Sequence, residues 1–100
     1  MYRINNFTYY GINPVKVYEL PAINQKSFYG KAKVIEDKTG DIFLQSYNTL
    51  VCYITAAGEV KRLWDGYSVT TLKHINDFLH LFNKQGGGKK WWISQVVETH

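Results

Sequence analysis

The chain has 100 residues, which is enough for one hydrophobic core and too few for a second. Its composition is 45% hydrophobic, 16% aromatic and 20% charged, which is typical of a globular domain and excludes an intrinsically disordered chain. The formal net charge of +4 favours an anionic partner, such as nucleic acid, an acidic protein surface or a membrane face.

We predict a single domain over residues 1–100, which begins with an irregular segment over residues 1–27 that contains one candidate short strand, VKVYEL. Residues 28–64 alternate between apolar and polar side chains, which predicts an antiparallel β-meander. The turn DKTGD contains Gly40, which supplies the positive φ that a tight hairpin needs. A break or bulge is expected around Asn48, because asparagine tolerates the left-handed conformation.

The apolar period then changes from two to about 3.6, which predicts an amphipathic helix over residues 68–85. Its apolar stripe consists of Leu72, Ile75, Phe78, Leu79 and Phe82, and its wetter side of Lys73, Asn76, Asp77, His80 and Lys84. We expect the glycine triplet at residues 86–88 to end the helix. Residues 89–98 are prone to form a strand, although a short helix is also compatible with them.

These elements predict an α+β fold, in which an antiparallel β-meander of about four strands packs against one amphipathic helix in the C-terminal half of the chain. A further short strand or helix completes the C-terminus. The helix stripe would cover the apolar face of the meander, which holds Ala32, Val34, Cys52 and Ile54.

The segment WDGYSVTTLKHINDFLHLF carries the groups that could serve catalysis. Ser68 and Thr70 are suited to cap the helix start, and an anion bound at an exposed helix start is the alternative. His74, Asp77 and His80 are spaced by three residues, which favours surface ion pairs over a zinc site. His74 with Asp77 could form an oriented general base, but the sequence places no nucleophile beside them.

Cys52 is the only cysteine, which excludes an internal disulfide, and its position in mid-strand predicts core packing. The segment QGGGKKW lacks the spacing of a phosphate-binding loop and follows a helix where that loop should follow a strand. No other catalytic motif is present. We therefore predict a protein that is not an enzyme, has no catalytic residue, and uses neither a cofactor nor a metal.

The second face of the predicted meander is rich in rings and ammonium groups. Alternation gives it Tyr29, Lys31, Lys33, Phe43, Gln45, Tyr47 and Tyr53, with Arg62 or Trp64 as further candidates. Rings between lysines could stack bases while the lysines attract phosphates. Two alternatives stay open: the aromatic-rich N-terminal residues or the Trp91–Trp92 tail cover this face, or the face forms a protein interface.

Three segments, FYGKAKV, LQSYNTLVC and WDGYSVTTLKHINDFL, resemble a widespread family of small, uncharacterised proteins carried by bacterial phages and plasmids. The resemblance spans residues 28–79 and carries over no catalytic residue. It implies an accessory protein of a mobile element that acts stoichiometrically on host machinery, such as a CRISPR effector, in the cytoplasm of the bacterial host. A cytoplasmic location agrees with the lack of a secretory signal and of an apolar run of about 18 residues.

We expect a non-enzymatic binding protein, in the manner of an anti-CRISPR inhibitor of a host defence nuclease, that acts through protein–protein contacts. Its partner-binding residues would be Tyr47, Tyr53, Trp64, Tyr67, Trp91 and Trp92, with Lys89 and Lys90 at the rim. The alternative is a small basic nucleic-acid-binding protein whose phosphate contacts come from Lys31, Lys33, Lys61, Arg62 and Lys73. No membrane is expected as a partner, and a homodimer through a free sheet edge stays open.

Overall fold

The computed structural model describes residues 12–20, 32–47, 49–84 and 88–97. These residues form β1 (Pro14–Glu19), β2 (Ala32–Asp37), β3 (Ile42–Ser46), β4 (Thr49–Ile54), β5 (Val60–Arg62), α1 (Val69–Leu81) and α2 (Gly88–Ser94). The strands make one antiparallel sheet in sequential order from β1 to β5. The predicted α+β fold is confirmed, and the candidate strand VKVYEL provides β1, an outer strand of the sheet that raises the strand count to five.

Tight turns join the strands of the meander. Between β2 and β3, the Asp37 backbone N–H donates to the Asp41 carbonyl at 2.8 Å, and Gly40 adopts a φ of 97°, as predicted. Between β3 and β4, Ser46 pairs with Thr49, so that the turn consists of two residues. Tyr47 takes the left-handed conformation there, with a φ of 55°. The predicted left-handed residue, Asn48, lies outside the described residues.

Both helices lie on one face of the sheet and enclose the main core. The α1 stripe is confirmed, because Ile75, Phe78 and Leu79 are fully buried while Leu72 and Phe82 are half-buried. The buried members of the main core are Leu20, Ala32, Val34, Leu44, Val51, Cys52, Ile54, Ile75, Phe78, Leu79 and Trp92. Neither helix of the described residues has the length and apolar character needed to cross a bilayer.

Helix α1 has a defined cap at each end. Ser68 is the N-cap, and its Oγ accepts a hydrogen bond from the Thr71 backbone N–H at 3.0 Å, as predicted. At the other end Asn83 adopts a φ of 60°, and the Lys84 N–H donates to the Leu79 carbonyl at 2.7 Å, which is a Schellman motif. The prediction that the glycine triplet ends the helix at residue 85 is wrong, because Asn83 already takes the left-handed position and α1 ends at Leu81.

The second face of the sheet carries a smaller apolar cluster of its own. Ile35 and Phe43 are fully buried there together with Ile12, and the half-buried Tyr53 ring stacks on Phe43 at 4.8 Å between centroids. The predicted covering by the N-terminal segment is seen at Ile12, and residues 1–11 lie outside the described residues. The Trp91–Trp92 tail packs on the main core and therefore on the opposite face.

Candidate binding surface

Arg62, the last residue of β5, fastens the C-terminal helix to the sheet. Its side chain is buried, and its guanidinium lies 4.5 Å from the centroid of the Trp92 ring. It donates hydrogen bonds to the backbone carbonyls of Trp64, Gly66, Trp92, Ile93 and Gln95, at distances between 2.8 and 3.4 Å. Carbonyls at the end of a helix have no partner within it, and a cation there also complements the helix dipole. A guanidinium committed in this way is not available to a phosphate, which corrects the prediction for Arg62.

Trp92 provides the apolar contacts that hold α2 against the sheet. Its ring is buried in the main core, and its Nε1–H donates to the Gly66 carbonyl at 2.8 Å. Gly66 is required at this point, because a Cβ there would lie 2.5 Å from the nearest atom of the Trp64 ring. Trp92 therefore holds α2 in place from the inside, which corrects its prediction as a surface anchor.

The outer side of this attached segment exposes apolar side chains. Ile93 is 52% exposed and Val96 is 77% exposed, although both are large hydrophobic residues. Lys89 and Lys90 are exposed one turn earlier on α2, at the i−4 and i−3 positions relative to Ile93, so that they border it on the helix surface. We call the surface formed by Tyr67, Lys89, Lys90, Trp91, Ile93 and Val96 the C-terminal patch.

Aromatic rings of the predicted set frame the C-terminal patch. The Lys89 ammonium lies 5.0 Å from the centroid of the Tyr67 ring, a cation–π contact that ties α2 to the residues before α1. Trp91 and Trp64 are half-buried and pack against the main core. Of the eight predicted partner-binding residues, Lys89, Lys90 and Trp91 thus lie on α2, and Tyr67 contacts α2 through Lys89.

Tyr47 presents its ring at a different place, at the turn between β3 and β4. The side chain is 49% exposed although the backbone is left-handed, a conformation that costs a non-glycine residue about 1–2 kcal/mol. Two contacts support this geometry. Gln45 Nε2 donates to the Tyr47 carbonyl at 2.9 Å, and the Tyr47 ring lies 5.8 Å from the His74 ring. A strained residue that exposes an aromatic ring is a candidate contact residue.

Beneath Tyr47 lies a buried cluster of polar side chains. Ser46 Oγ is 2.8 Å from His74 Nδ1 and 3.1 Å from Thr71 Oγ1, so that the end of β3 is joined to α1. The prediction that His74 and Asp77 form surface ion pairs is wrong, since both are buried. A hydroxyl beside an imidazole is the arrangement of nucleophilic catalysis, but Ser46 and His74 are only 2% and 1% exposed. We therefore interpret the contacts as structural.

The predicted nucleic-acid surface does not form an open platform. At its centre Phe43 is fully buried and Gln45 is 3% exposed, so neither can stack on or bond to a base from solvent. Lys33 is half-buried, and Lys61 lies 3.9 Å from Glu59 in an ion pair. Lys73 is exposed on α1, while Lys31 and Tyr29 lie outside the described residues. Tyr53 belongs to this second face and not to the C-terminal patch.

The chemistry of Cys52 follows from its burial. Burial raises the pKa of the Cys52 thiol, and the side chain is fully enclosed in the main core. The thiolate, which is the reactive and metal-binding form, is accordingly disfavoured. Across the residues that the structure describes, no group of three or more histidine, cysteine, aspartate or glutamate side chains could hold a metal ion.

Sequence comparison places the chain in a family. The model of DUF8033, a family of unknown function, matches residues 18–94, and the chain therefore belongs to this family. No curated protein and no solved structure matches the chain.

Two contacts, one made by Arg62 at the C-terminal helix and one beneath Tyr47, were not predicted from the sequence. The sequence predicts Arg62 as a phosphate contact of the alternative function, although in VKRLW it alternates in phase with Val60 and Trp64, and both of these residues pack against the main core. The contact of Ser46 with His74 joins residues 28 positions apart and leaves no local signal.

Proposed function

We propose that the chain is a non-enzymatic binding protein that uses the C-terminal patch to engage an acidic protein surface. The observation that carries this proposal is the exposure of Ile93 and Val96 on a segment that Arg62 and Trp92 hold in place. Exposed apolar side chains bordered by charge are typical of protein interaction sites.

Arg62 and Trp92 hold the C-terminal patch in place before a partner binds, so that little conformational entropy is lost on association. Ile93 lies next to Trp92, which is 1% exposed, so its backbone position is fixed before a partner arrives. Ordering of a mobile side chain on binding costs about 0.5–1.5 kcal/mol, and a surface that is already ordered avoids part of that cost. Tyr67 and Trp91 add rings of the type that dominate binding energy at interfaces.

Charge specifies the chemistry of the partner. Lys89 and Lys90 are exposed on α2, which has no acidic residue in its first turn. The chain as a whole carries a formal net charge of +4. An acidic partner surface with an apolar centre would complement the patch, and the lysines would raise the association rate.

The resemblance to proteins of phages and plasmids supports a more specific form of the proposal. The partner would be a host protein, and the activity would be the stoichiometric inhibition of a defence nuclease of the nucleic-acid-guided type. Direct binding of nucleic acid through the second face is less well supported, because Phe43 and Gln45 are buried there and the Arg62 guanidinium is bonded to carbonyls of the C-terminal helix. An enzymatic role is likewise less well supported, since Ser46 and His74 are buried together.

The test is affinity capture from a lysate of the bacterial host, with and without nuclease digestion, followed by titration with the purified partner. We expect a protein that is retained after digestion, binds one-to-one, and is lost with Ile93→Asp or Lys89→Glu. The matched controls are Val69→Asp and Lys38→Glu, which make corresponding changes at exposed positions outside the patch and outside β1. A complex that disappears on digestion, or that tolerates Ile93→Asp, would overturn the proposal.

The proposed inhibition of a guided nuclease can be tested separately in cells. In cells that carry an active guided nuclease, expression of the chain should restore transformation by a targeted plasmid, and Ile93→Asp should abolish this effect. Unchanged plasmid interference in the presence of the wild-type chain would reject inhibition of that nuclease, while the capture experiment still decides whether the patch binds a protein.

A further inference from the structure

Strand β1 presents a second surface, far in sheet order from the C-terminal patch. It is one of the two outer strands, and among the described residues β2 is its strand neighbour. The other outer strand, β5, is extended by a parallel bridge between Arg62 and Val97. Val15 is 68% exposed and Val17 is 43% exposed. An outer strand with exposed apolar side chains is a template on which another strand can pair.

The backbone of β1 offers hydrogen-bonding groups to such a strand. The Leu20 N–H donates to the Ala32 carbonyl of the β2 side at 2.9 Å. The backbone N–H and carbonyl groups alternate in direction along an antiparallel strand. Those of Tyr18 and Lys16 therefore also point toward β2. The N–H and the carbonyl of Val17 consequently point away from β2, toward the outer edge.

We propose that two copies of this chain associate through antiparallel pairing of their β1 strands, about a two-fold axis that passes between the two Val17 residues. Each Val17 N–H then donates to the Val17 carbonyl of the other copy, and the two five-stranded sheets become continuous. A two-fold axis makes the contact isologous, so that a single surface on each chain is sufficient.

The sequence of β1 is complementary to itself in this register. Lys16 of one copy lies opposite Tyr18 of the second copy, and within one chain the Lys16 ammonium is already 5.1 Å from the Tyr18 ring centroid. One lysine and one glutamate leave β1 without net charge, so the strand itself does not oppose pairing even though the chain is basic. The irregularity between Pro14 and Lys16 ends the paired region on that side.

The position of Val17 on the axis permits a mixing experiment. Sedimentation equilibrium of the full chain should show a monomer–dimer equilibrium. Val17→Glu and Val17→Lys should each be monomeric, because each places two like charges directly opposite one another. An equimolar mixture of the two variants should recover the dimer, since glutamate then faces lysine. Circular dichroism checks that both variants fold, which we expect because Val17 is exposed.

Three outcomes would overturn the proposal: a wild-type chain that stays monomeric up to about 1 mM, a dimer that persists in Val17→Glu alone, or a mixture that stays monomeric. The first of these would also be obtained if β1 pairs with a strand of a different protein. Ile93→Asp serves as the matched control and should dimerise like the wild-type chain. It separates a failure at β1 from a failure at the C-terminal patch.

Discussion

At the scale of single residues, the neighbours of a side chain fix its protonation state. Asp37, at the end of β2, is buried, and burial alone would raise the pKa of its carboxyl. Hydrogen bonds from the Thr39 hydroxyl and from the backbone N–H groups of Asn13, Lys38 and Thr39 outweigh burial and lower that pKa. The ionised carboxylate therefore joins the start of β1 to the turn that follows β2.

Asp37 should make stability depend on pH on the acid side. The pKa of Asp37 in the folded chain lies below the ordinary carboxyl value of 3.8, so its contribution to stability is complete above about pH 4 and is lost as the pH falls through the lowered pKa. Urea unfolding of the wild-type chain and of Asp37→Asn between about pH 2 and pH 6 measures this. We expect the variant to be less stable at the upper end and to lose less stability on acidification. Parallel curves for the two proteins would contradict the assignment.

Cys52 should be inert in the folded chain. It is fully buried and the pKa of its thiol is raised, so that a thiol reagent finds neither access nor thiolate. Modification at about pH 8 should be slow in native buffer and fast in concentrated urea, with a rate limited by opening of the core. Rapid modification of native protein would show that the main core is open at this position.

At the scale of elements, α1 depends on two caps that differ in kind. The N-terminus is closed by a side-chain hydroxyl, from Ser68, and the C-terminus by backbone geometry, at Asn83. The first could be predicted from the sequence, because serine before an apolar helical period is a known start signal. The C-cap at Asn83 could not be predicted, because asparagine and the glycines of the triplet that follows both accept a left-handed conformation.

Ser68→Ala should lower the free energy of unfolding by about 1 kcal/mol, because the Thr71 N–H loses its acceptor. Thr70→Ala is the matched control, since Thr70 is exposed and lies within the first turn rather than at the cap. Its effect should stay within about 0.5 kcal/mol. Equal losses in the two variants would mean that Ser68 does not act as the cap.

Two substitutions of Asn83 test the C-cap of α1. Asn83→Gly should preserve or slightly raise stability, because glycine has no Cβ penalty at a φ of 60°. Asn83→Ala should lower stability by about 1 kcal/mol. Thermal unfolding followed by circular dichroism compares the two variants, and an alanine variant as stable as the glycine variant would argue against a left-handed Asn83.

At the scale of the whole molecule, much of the fold follows from local patterns, while the binding surface depends on contacts between distant segments. Alternation and turn residues predicted the meander, and the apolar period predicted α1. The position of α2 depends on Arg62, which lies 30 residues before Trp92. This separation in sequence explains why Arg62 and Trp92 are predicted as surface residues. Arginine and tryptophan are both typical of interfaces, and only the fold shows that these two side chains contact each other.

Arg62→Met should be the more damaging of two neighbouring substitutions in β5. It removes the guanidinium that donates hydrogen bonds to the Trp64 carbonyl after β5 and to the Trp92 carbonyl of α2. We expect a loss of about 3 kcal/mol in the free energy of unfolding. Lys61→Met, one residue earlier, disturbs an ion pair with the exposed Glu59 and should cost less than about 1 kcal/mol. Urea unfolding measures both, and a mild Arg62→Met variant would show that α2 is held mainly by Trp92.

The placement of the tryptophans gives the protein an internal optical reporter. All three indoles of the chain, at positions 64, 91 and 92, belong to or pack against the main core, and Trp91 is part of the C-terminal patch. Their emission should therefore change when a partner covers that patch. It should remain constant when two β1 strands join, because no indole lies on that edge. The two association events can thus be followed separately in the unlabelled protein, in one cuvette.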